Sequence, residues 1–332
     1  MRLMKAFPEG FDESELFRSL VDGWGLKARA AQYAAVGFGS YHWIVDEPKG
    51  DRHFVTVDDL NHKSWLGDTP DSVFDGLRRA FDTALALRRQ GGLGFVVAPL
   101  PTIEGETVRR IGRRHTIALF PFIEGRSGRF GDEPSSTDRA EVLDMLVELH
   151  GASPTLCAIP HRGIGLPGRD VLESALMQLD RTWRGGPFAE PARDWLASHG
   201  SDLRRLLDHF DKLAGAVTAA NRGLVITHGE THSDNFIRSS DGLMLVDWDT
   251  VGLAPPERDL WHVATADGDE LARYSDATER PVDEATLSLY RLGWDLTDVA
   301  AYVDLFRSRH GHTEVTEKAW RHLTQSGWLE DS

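Results

Sequence analysis

Asp12 followed by Glu15, with Leu16, Phe17, Leu20 and Val21 recurring at helical spacing, predicts an amphipathic helix opened by a capping box. Runs of strand character follow at 30–36, 41–46 and 53–58. Gly37-Phe38-Gly39-Ser40 separates the first two and Glu47-Pro48-Lys49-Gly50-Asp51 the last two, both with turn chemistry. Thr69 and Pro70 then open a helix with Val73, Phe74, Leu77, Phe81, Ala84 and Leu85 on one face. Further strands are predicted at 94–98 and 115–120.

The stretch 120–128, Phe-Pro-Phe-Ile-Glu-Gly-Arg-Ser-Gly, breaks this alternation and reads as a connector centred on 121–126. Beyond it the periodicity becomes helical. Val142, Met145, Leu146 and Leu149 share a face of 138–150, and Gly151 supplies the stop. Asp170 and Glu173 have capping-box spacing ahead of Leu172, Ala175, Leu176 and Leu179, and helical patterns return at 190–220, 284–307 and 315–324. One β island interrupts them. Leu224–Thr227 is a short apolar strand running into a polar loop, and Phe236–Arg238 and Leu243–Val246 are joined by Ser239-Ser240-Asp241-Gly242, a hairpin signal with Gly242 suited to positive φ. The expected architecture is α+β and bilobal, with a strand-rich unit over 1–121 and a larger, mainly helical unit over 122–332.

Composition narrows the partners. With 52 acidic against 37 basic residues in 332, the formal charge is −15, which argues against nucleic acid and anionic membranes and permits cationic ligands. The single cysteine, Cys157, excludes an intrachain disulfide and a cysteine-based zinc cluster. The opening residues lack the apolar core of a signal peptide and no run reaches transmembrane length, which predicts a cytoplasmic protein. Only Lys5, Lys27, Lys49, Lys63, Lys212 and Lys318 are lysines.

The densest chemistry lies on the β island. His228-Gly229-Glu230-Thr231-His232-Ser233-Asp234-Asn235 precedes Asp247-Trp248-Asp249 at the end of the hairpin. Phosphoryl transfer needs one carboxylate to orient the attacking hydroxyl, and an amide oxygen with a second carboxylate to hold Mg2+ on the phosphates. A loop with Glu and Asn five residues apart, followed by a hairpin that returns an Asp, meets that need. Residues 225–261 resemble the catalytic segment of the aminoglycoside phosphotransferase and choline kinase-like family, which pairs a His-Gly-Asp-x-x-x-x-Asn loop with an Ile/Val-Asp-Trp/Phe segment on a protein kinase-like fold. The resemblance is strong over this segment and architectural elsewhere. It implies ATP and Mg2+, with Asn235 and Asp247 as metal ligands, Glu230 at the catalytic-base position, His228 structural and Asp259 a loop brace.

Two positions depart from the family pattern. Glu230 replaces the usual Asp, and its extra methylene moves the carboxylate by roughly 1.5 Å on an unchanged backbone. A misplacement of about 1 Å can cost on the order of 100-fold in rate. Either the loop is adjusted to suit Glu or the protein is slow or inactive. Thr56 stands near the place of the phosphate-binding lysine, and the helix after it has no Glu between 70 and 90 to pair with one. Lys63 and Lys49 are the nearby substitutes, with Arg52 and His53 as weaker ones. Lys63 reads equally as a surface lysine with a buried stem.

By the same resemblance, Gly37, Gly39 and Ser40 cover the triphosphate with backbone N–H groups, and the connector near Leu119 to Phe122, with Phe120 and Phe122, receives the adenine. Twelve acidic and four basic residues lie between Glu257 and Asp304. Asp267, Asp269, Glu270, Asp295 and Asp298 are candidates to hold an amine-bearing acceptor, against the alternative of solvated helix faces. Trp261, Trp294 and Tyr302 read as pocket walls or as core.

The chain has no Gly-Lys dipeptide for a P-loop, no His-Glu-x-x-His and no Gly-x-Ser-x-Gly. His228 and His232 bracket Glu230, but Gly229 after a strand favours a loop over a helical zinc site. The expected partners are a nucleotide and a small cationic or polyhydroxylated acceptor, in a monomer or homodimer. An aminoglycoside or aminocyclitol antibiotic leads as acceptor. The alternatives are a kinase of choline, an amino-alcohol or a sugar, and a catalytically weak nucleotide sensor.

Overall fold

The computed structural model describes residues 7–8, 11–37, 39–128, 135–265 and 268–325. Asp12 opens α1 (Glu13–Trp24) by accepting from the Ser14 N–H, a single cap in place of the expected reciprocal pair with Glu15. Three strands follow, β1 (Ala30–Ala34), β2 (Ser40–Asp46) and β3 (Arg52–Asp59). Thr69 and Ser72 cap each other at the start of α2 (Pro70–Arg89). Then come β4 (Arg109–Ile111), β5 (His115–Pro121), β6 (Gly125–Ser127) and α3 (Ser136–Gly151). The next helices are α4 (Arg169–Met177) and α5 (Ala189–Ala220). The β island comprises β7 (Val225–Thr227), β8 (Phe236–Ser239), β9 (Gly242–Leu245) and β10 (Gly252–Ala254). After it run α6 (Glu257–Leu260), α7 (Asp269–Thr278), α8 (Glu284–Arg307) and α9 (Glu314–Gln325).

The chain forms two compact units, one from Met4–Arg162 with Gly223–Val282, the other from Gly163–Arg222 with the chain beyond Asp283. In the first, an antiparallel sheet of order β1-β2-β3-β5-β4 has a fixed cross-strand register. Tyr41, Val57 and Ile117 line up, as do Trp43, Val55 and Leu119, and this apolar face packs on Leu16 and Leu20 of α1. Alternation sends the intervening residues to the opposite face. There the rows read Ser40–Asp58–Thr116, His42–Thr56–Ala118 and Ile44–Phe54–Phe120, polar at one end and apolar at the other. On that side Val73, Leu77 and Phe81 of α2 pack with Leu60, Leu66 and Ala118.

The expected strand at 94–98 is absent. Val96 makes one bridge to Leu245, flanked by hydrogen bonds from Val97 N to Leu245 O and from Leu245 N to Phe95 O. That apolar run is buried by packing against the hairpin, and β4 takes the place beside β5. The connector holds a strand of its own, since β6 pairs with β8, setting Arg126 opposite Arg238. The β8–β9 hairpin turns at Gly242, whose φ is 112°. In the second unit, α4, α5, α8 and α9 surround Leu172, Leu196, Leu203, Phe210, Leu296, Val303 and Phe306. Gly168 in the left-handed region starts α4, so Asp170 lies inside the helix and is not its cap. No helix among the described residues is long and apolar enough to cross a membrane.

Candidate active site

The loop after β7 is fixed chiefly by Asp259 of α6. Asp259 accepts the backbone N–H groups of His228 at 2.8 Å and Gly229 at 2.6 Å, while its carbonyl accepts from the Thr231 hydroxyl at 2.8 Å. His150 reaches the same carboxylate at 3.1 Å and the Tyr274 hydroxyl at 2.8 Å. Asp259 thus braces the loop, as expected. His228 Nε2 donates to the Val246 carbonyl at 2.9 Å and Nδ1 accepts from the Glu230 N–H at 3.2 Å, which fixes a neutral tautomer. Burial lowers its pKa to about 4. With both ring nitrogens engaged on backbone groups, His228 cannot serve as a zinc ligand alongside His232. Gly229 has φ +99°, and a Cβ there would lie 2.1 Å from the Arg258 guanidinium.

Glu230 and Asn235 are tied directly. The Asn235 amide donates to the Glu230 carbonyl at 2.8 Å, and the Val246 N–H donates to the Asn235 carbonyl at 3.0 Å. The second bond sets Asn235 beside the end of β9, where Asp247 follows. Asp247 adopts a left-handed conformation, φ 64°, which Asp tolerates better than most residues. Asp247 is exposed to solvent, while its neighbours Trp248, Asp249 and Thr250 are buried. Desolvation by the surrounding protein, then the charges of Asp249 and Glu230, raises the Asp247 carboxyl above the ordinary carboxylate value. Arg162 holds the carbonyls of Asp249 and Val251 at 3.0 and 3.1 Å, and Arg258 that of Thr250 at 3.0 Å, so guanidinium groups clamp the backbone of this turn.

Lys63 is not a surface residue. Its side chain is 2% exposed, with Nζ 2.6 Å from Asp249 and 3.0 Å from Asp58. Burial opposes the charge, but Asp249, Asp58 and Asp247 outweigh it and hold the ammonium protonated. Asp58 also accepts from the Ser40 hydroxyl at 2.6 Å and from Thr116 at 3.4 Å. Asp59, facing the other way, pairs with Arg114 at 2.6 Å and His62 at 2.8 Å and so braces the turn that presents Lys63. Asp58 and Asp249 were missed as site residues. The available signals were an Asp doublet closing an apolar strand and the second acid of Asp247-Trp248-Asp249.

The remaining candidates are dispersed. Gly37 and Gly39 have φ of 70° and 82°, Phe38 between them lies outside the described residues, and Ser40 is joined to Lys63 through Asp58. Phe120 packs edge-on against Phe81 at 5.5 Å, and Phe122 lies under the Arg52 guanidinium at 4.0 Å. Thr56, near the place of the family lysine, meets His42 Nδ1 at 3.2 Å. Asp269 starts α7, and Glu270 is engaged by Arg139 at 3.2 Å and by the Thr265 hydroxyl. Asp267 lies outside the described residues. Asp295 and Asp298 belong to the other unit, on α8, where burial raises them to about 7 and about 6.

Among the described residues no three His, Cys, Asp or Glu side chains form a metal cage. Asn235 and Asp247 instead offer two hard oxygen ligands, beside carboxylates of which Asp58 and Asp249 already share the Lys63 ammonium. That donor set fits a cation such as Mg2+, which completes its shell with phosphate oxygens and water.

An antiparallel sheet followed by a braced polar loop and an acid-ended hairpin leads to the class of phosphotransferases. Residues 47–299 match the phosphotransferase enzyme family APH, and the chain belongs to it. It is 27% identical over 257 residues to protein StrN of Streptomyces griseus, covering 74% of this chain and 75% of that one. The fold is similar to spectinomycin phosphotransferase APH(9)-Ia in complex with ADP and spectinomycin, with a TM-score of 0.71, 17% identity and coverage of 96% and 95% of the two chains. It is also similar to amicoumacin kinase hAmiN in complex with AMP-PNP, Ca2+ and Ami, with a TM-score of 0.57, 12% identity and coverage of 94% and 93%.

Proposed function

We propose that this chain transfers the γ-phosphoryl group of ATP to a hydroxyl of an amine-bearing polyol, with an aminoglycoside or aminocyclitol as the leading acceptor. The observation that carries the reading is the Asn235–Glu230 hydrogen bond of 2.8 Å, with Asn235 also tied to the strand end that delivers Asp247. Base and metal ligands thereby occupy one braced loop and one hairpin. Glu230 orients the acceptor hydroxyl and takes its proton as the new O–P bond forms and the bond from γ-phosphorus to the β-phosphate bridging oxygen breaks, releasing ADP. Mg2+, held by Asn235 Oδ1 and the Asp247 carboxylate, would neutralise charge on the phosphate oxygens.

The sheet face supports the nucleotide assignment. Ile44, Phe54 and Phe120 offer an apolar end suited to a base, and at the polar end Lys63, held by Asp58, offers a cation for phosphates. Gly37, Gly39 and Ser40 belong to the covering loop and Phe122 to the base end. Lys63 supplies the cation that Thr56 does not. In functional terms residues 1–121 are the nucleotide part and 122–332 the catalytic and acceptor part. Of the acidic candidates in the unit that carries Glu230, Asp269 and Glu270 are assigned to the amine. Glu270 has its carboxylate engaged by Arg139 and is the weaker of the two.

The test is transfer of radiolabel from γ-labelled ATP, with Mg2+, to a panel headed by spectinomycin and including aminoglycosides, choline, amino-alcohols and sugars. Labelled amine-bearing polyol supports the reading, and labelled choline or sugar alone replaces the acceptor class. Clear ATP binding with no labelled acceptor favours a nucleotide sensor, a reading to which Glu230 and Thr56 give some weight.

A further inference from the structure

We propose that Asp58 is the positioning residue for the phosphate-binding charge: a carboxylate on β3 that holds the Lys63 ammonium against the metal segment. The inference rests on the nucleotide reading above and adds a residue to it. Among the described residues Lys63 is the buried lysine, whereas Lys27, Lys49, Lys212 and Lys318 are exposed. Its position depends on two carboxylates of different kinds. Asp249 is two residues from Asp247, in the segment where phosphate and metal charges would arrive. Asp58 lies in the sheet, 0% exposed, with one oxygen shared by Lys63 and the Ser40 hydroxyl and the other facing Thr116.

A fully buried carboxylate carries a desolvation penalty that an apolar side chain of similar size would avoid, and sheet packing alone gives no reason for it. Its partners give the reason. Ser40 and Thr116 flank Asp58 across the register of β2 and β5, so its rotamer is fixed from both sides. Asp59 meanwhile fixes the turn through Arg114, His62 and the Asn61 N–H at 3.0 Å. The lysine is therefore held at its backbone by one acid and at its ammonium by the next. Thr56, two residues earlier on the same face, is occupied by His42, so the charge enters that face from the turn after β3 rather than from β3 itself. When a nucleotide phosphate approaches, Asp249 is the partner it displaces and Asp58 the one that remains.

Calorimetric titration of the full chain with Mg-ATP and, separately, with adenosine tests the proposal in wild type, Asp58→Asn, Lys63→Met and the double variant. Asp58→Asn should weaken Mg-ATP binding by about tenfold or more while leaving adenosine binding unchanged, and the double variant should bind no more weakly than Lys63→Met alone. A structural role would weaken both ligands alike and overturn the proposal. So would wild-type affinity in Asp58→Asn, or losses that multiply in the double variant. If Asp58→Asn does not fold, Ser40→Ala carries the test, because it removes the 2.6 Å bond and leaves both charges in place. It should selectively weaken Mg-ATP, and unchanged Mg-ATP affinity there overturns the proposal. A wild-type chain that binds no nucleotide overturns the functional reading as well, an outcome distinct from a wild type that binds and an Asp58→Asn variant that matches it.

Discussion

The Asn235 side-chain amide donates to the Glu230 carbonyl across 2.8 Å, binding the proposed metal ligand to the backbone of the proposed base. With the NH2 end turned to that carbonyl, the acceptor oxygen is the end that remains to meet a cation. Asn235→Asp sets a carboxylate against a carbonyl and adds charge beside Asp247. Thermal melts should show a loss of about 1–3 kcal/mol, with partial recovery on adding Mg2+. No recovery with Mg2+ would argue against a cation at this position.

His228 links stability to pH. Burial lowers it to about 4 from an ordinary 6.5, so the unfolded chain binds a proton across that window that the native chain does not. The His228 contribution is therefore full above about pH 6.5 and is lost as pH drops toward 4, about 3 kcal/mol in all. Protonation would also place a second N–H against that of Glu230. In urea titrations at several pH values, His228→Gln should be less stable at pH 7 and show a shallower decline between 6.5 and 4. His232, also lowered to about 4 by burial, retains part of the slope.

Gly229→Ala should leave the nucleotide end intact and damage the loop. The added Cβ meets Arg258 at 2.1 Å, and Arg258 holds Thr227 at 2.8 Å and the Thr250 carbonyl at 3.0 Å. A φ of +99° adds strain of its own. A shift of about 1 Å in Glu230 would reduce kcat on the order of 100-fold, with nucleotide affinity little changed. Steady-state kinetics beside calorimetry check this.

Asp295 links stability to pH in the sense opposite to His228. Burial, then Asp298, raises it to about 7, so the native chain keeps a proton that the unfolded chain releases near 3.8. Stability falls as pH rises between those values and stays lower above them. Asp295→Asn should therefore stabilise the protein at pH 8 by about 1–3 kcal/mol.

The elements set by local chemistry were legible in the sequence. Thr69-Pro70 opens α2, Gly242 turns the hairpin, and α8 spans the predicted 284–307. The run 94–98 misled because an apolar stretch reports burial and not pairing, and its burial comes from the distant Leu245. The strand at β6 was illegible for the opposite reason, as three exposed residues pair only because β8 lies beside them. At the candidate site, Glu230, Asn235 and Asp247 were nominated by spacing, and the structure ties Asn235 to the Glu230 carbonyl. Asp58 could not be nominated in this way, because its importance depends on Ser40, Thr116 and Lys63 meeting across the sheet register. Lys63 was open between surface and site, and its pairing with Asp249, 186 residues away in sequence, decides for burial.

The central claim is that Glu230 serves as base in Mg-dependent transfer of the ATP γ-phosphoryl group, and the most direct measurement is the rate of label transfer to an amine-bearing polyol in wild type and Glu230→Gln. Wild type should label the acceptor only when Mg2+ is present, and Glu230→Gln should lower kcat by about 100-fold or more while ATP affinity is retained. Full activity in Glu230→Gln, or a wild type that binds ATP and labels no acceptor, would contradict the account.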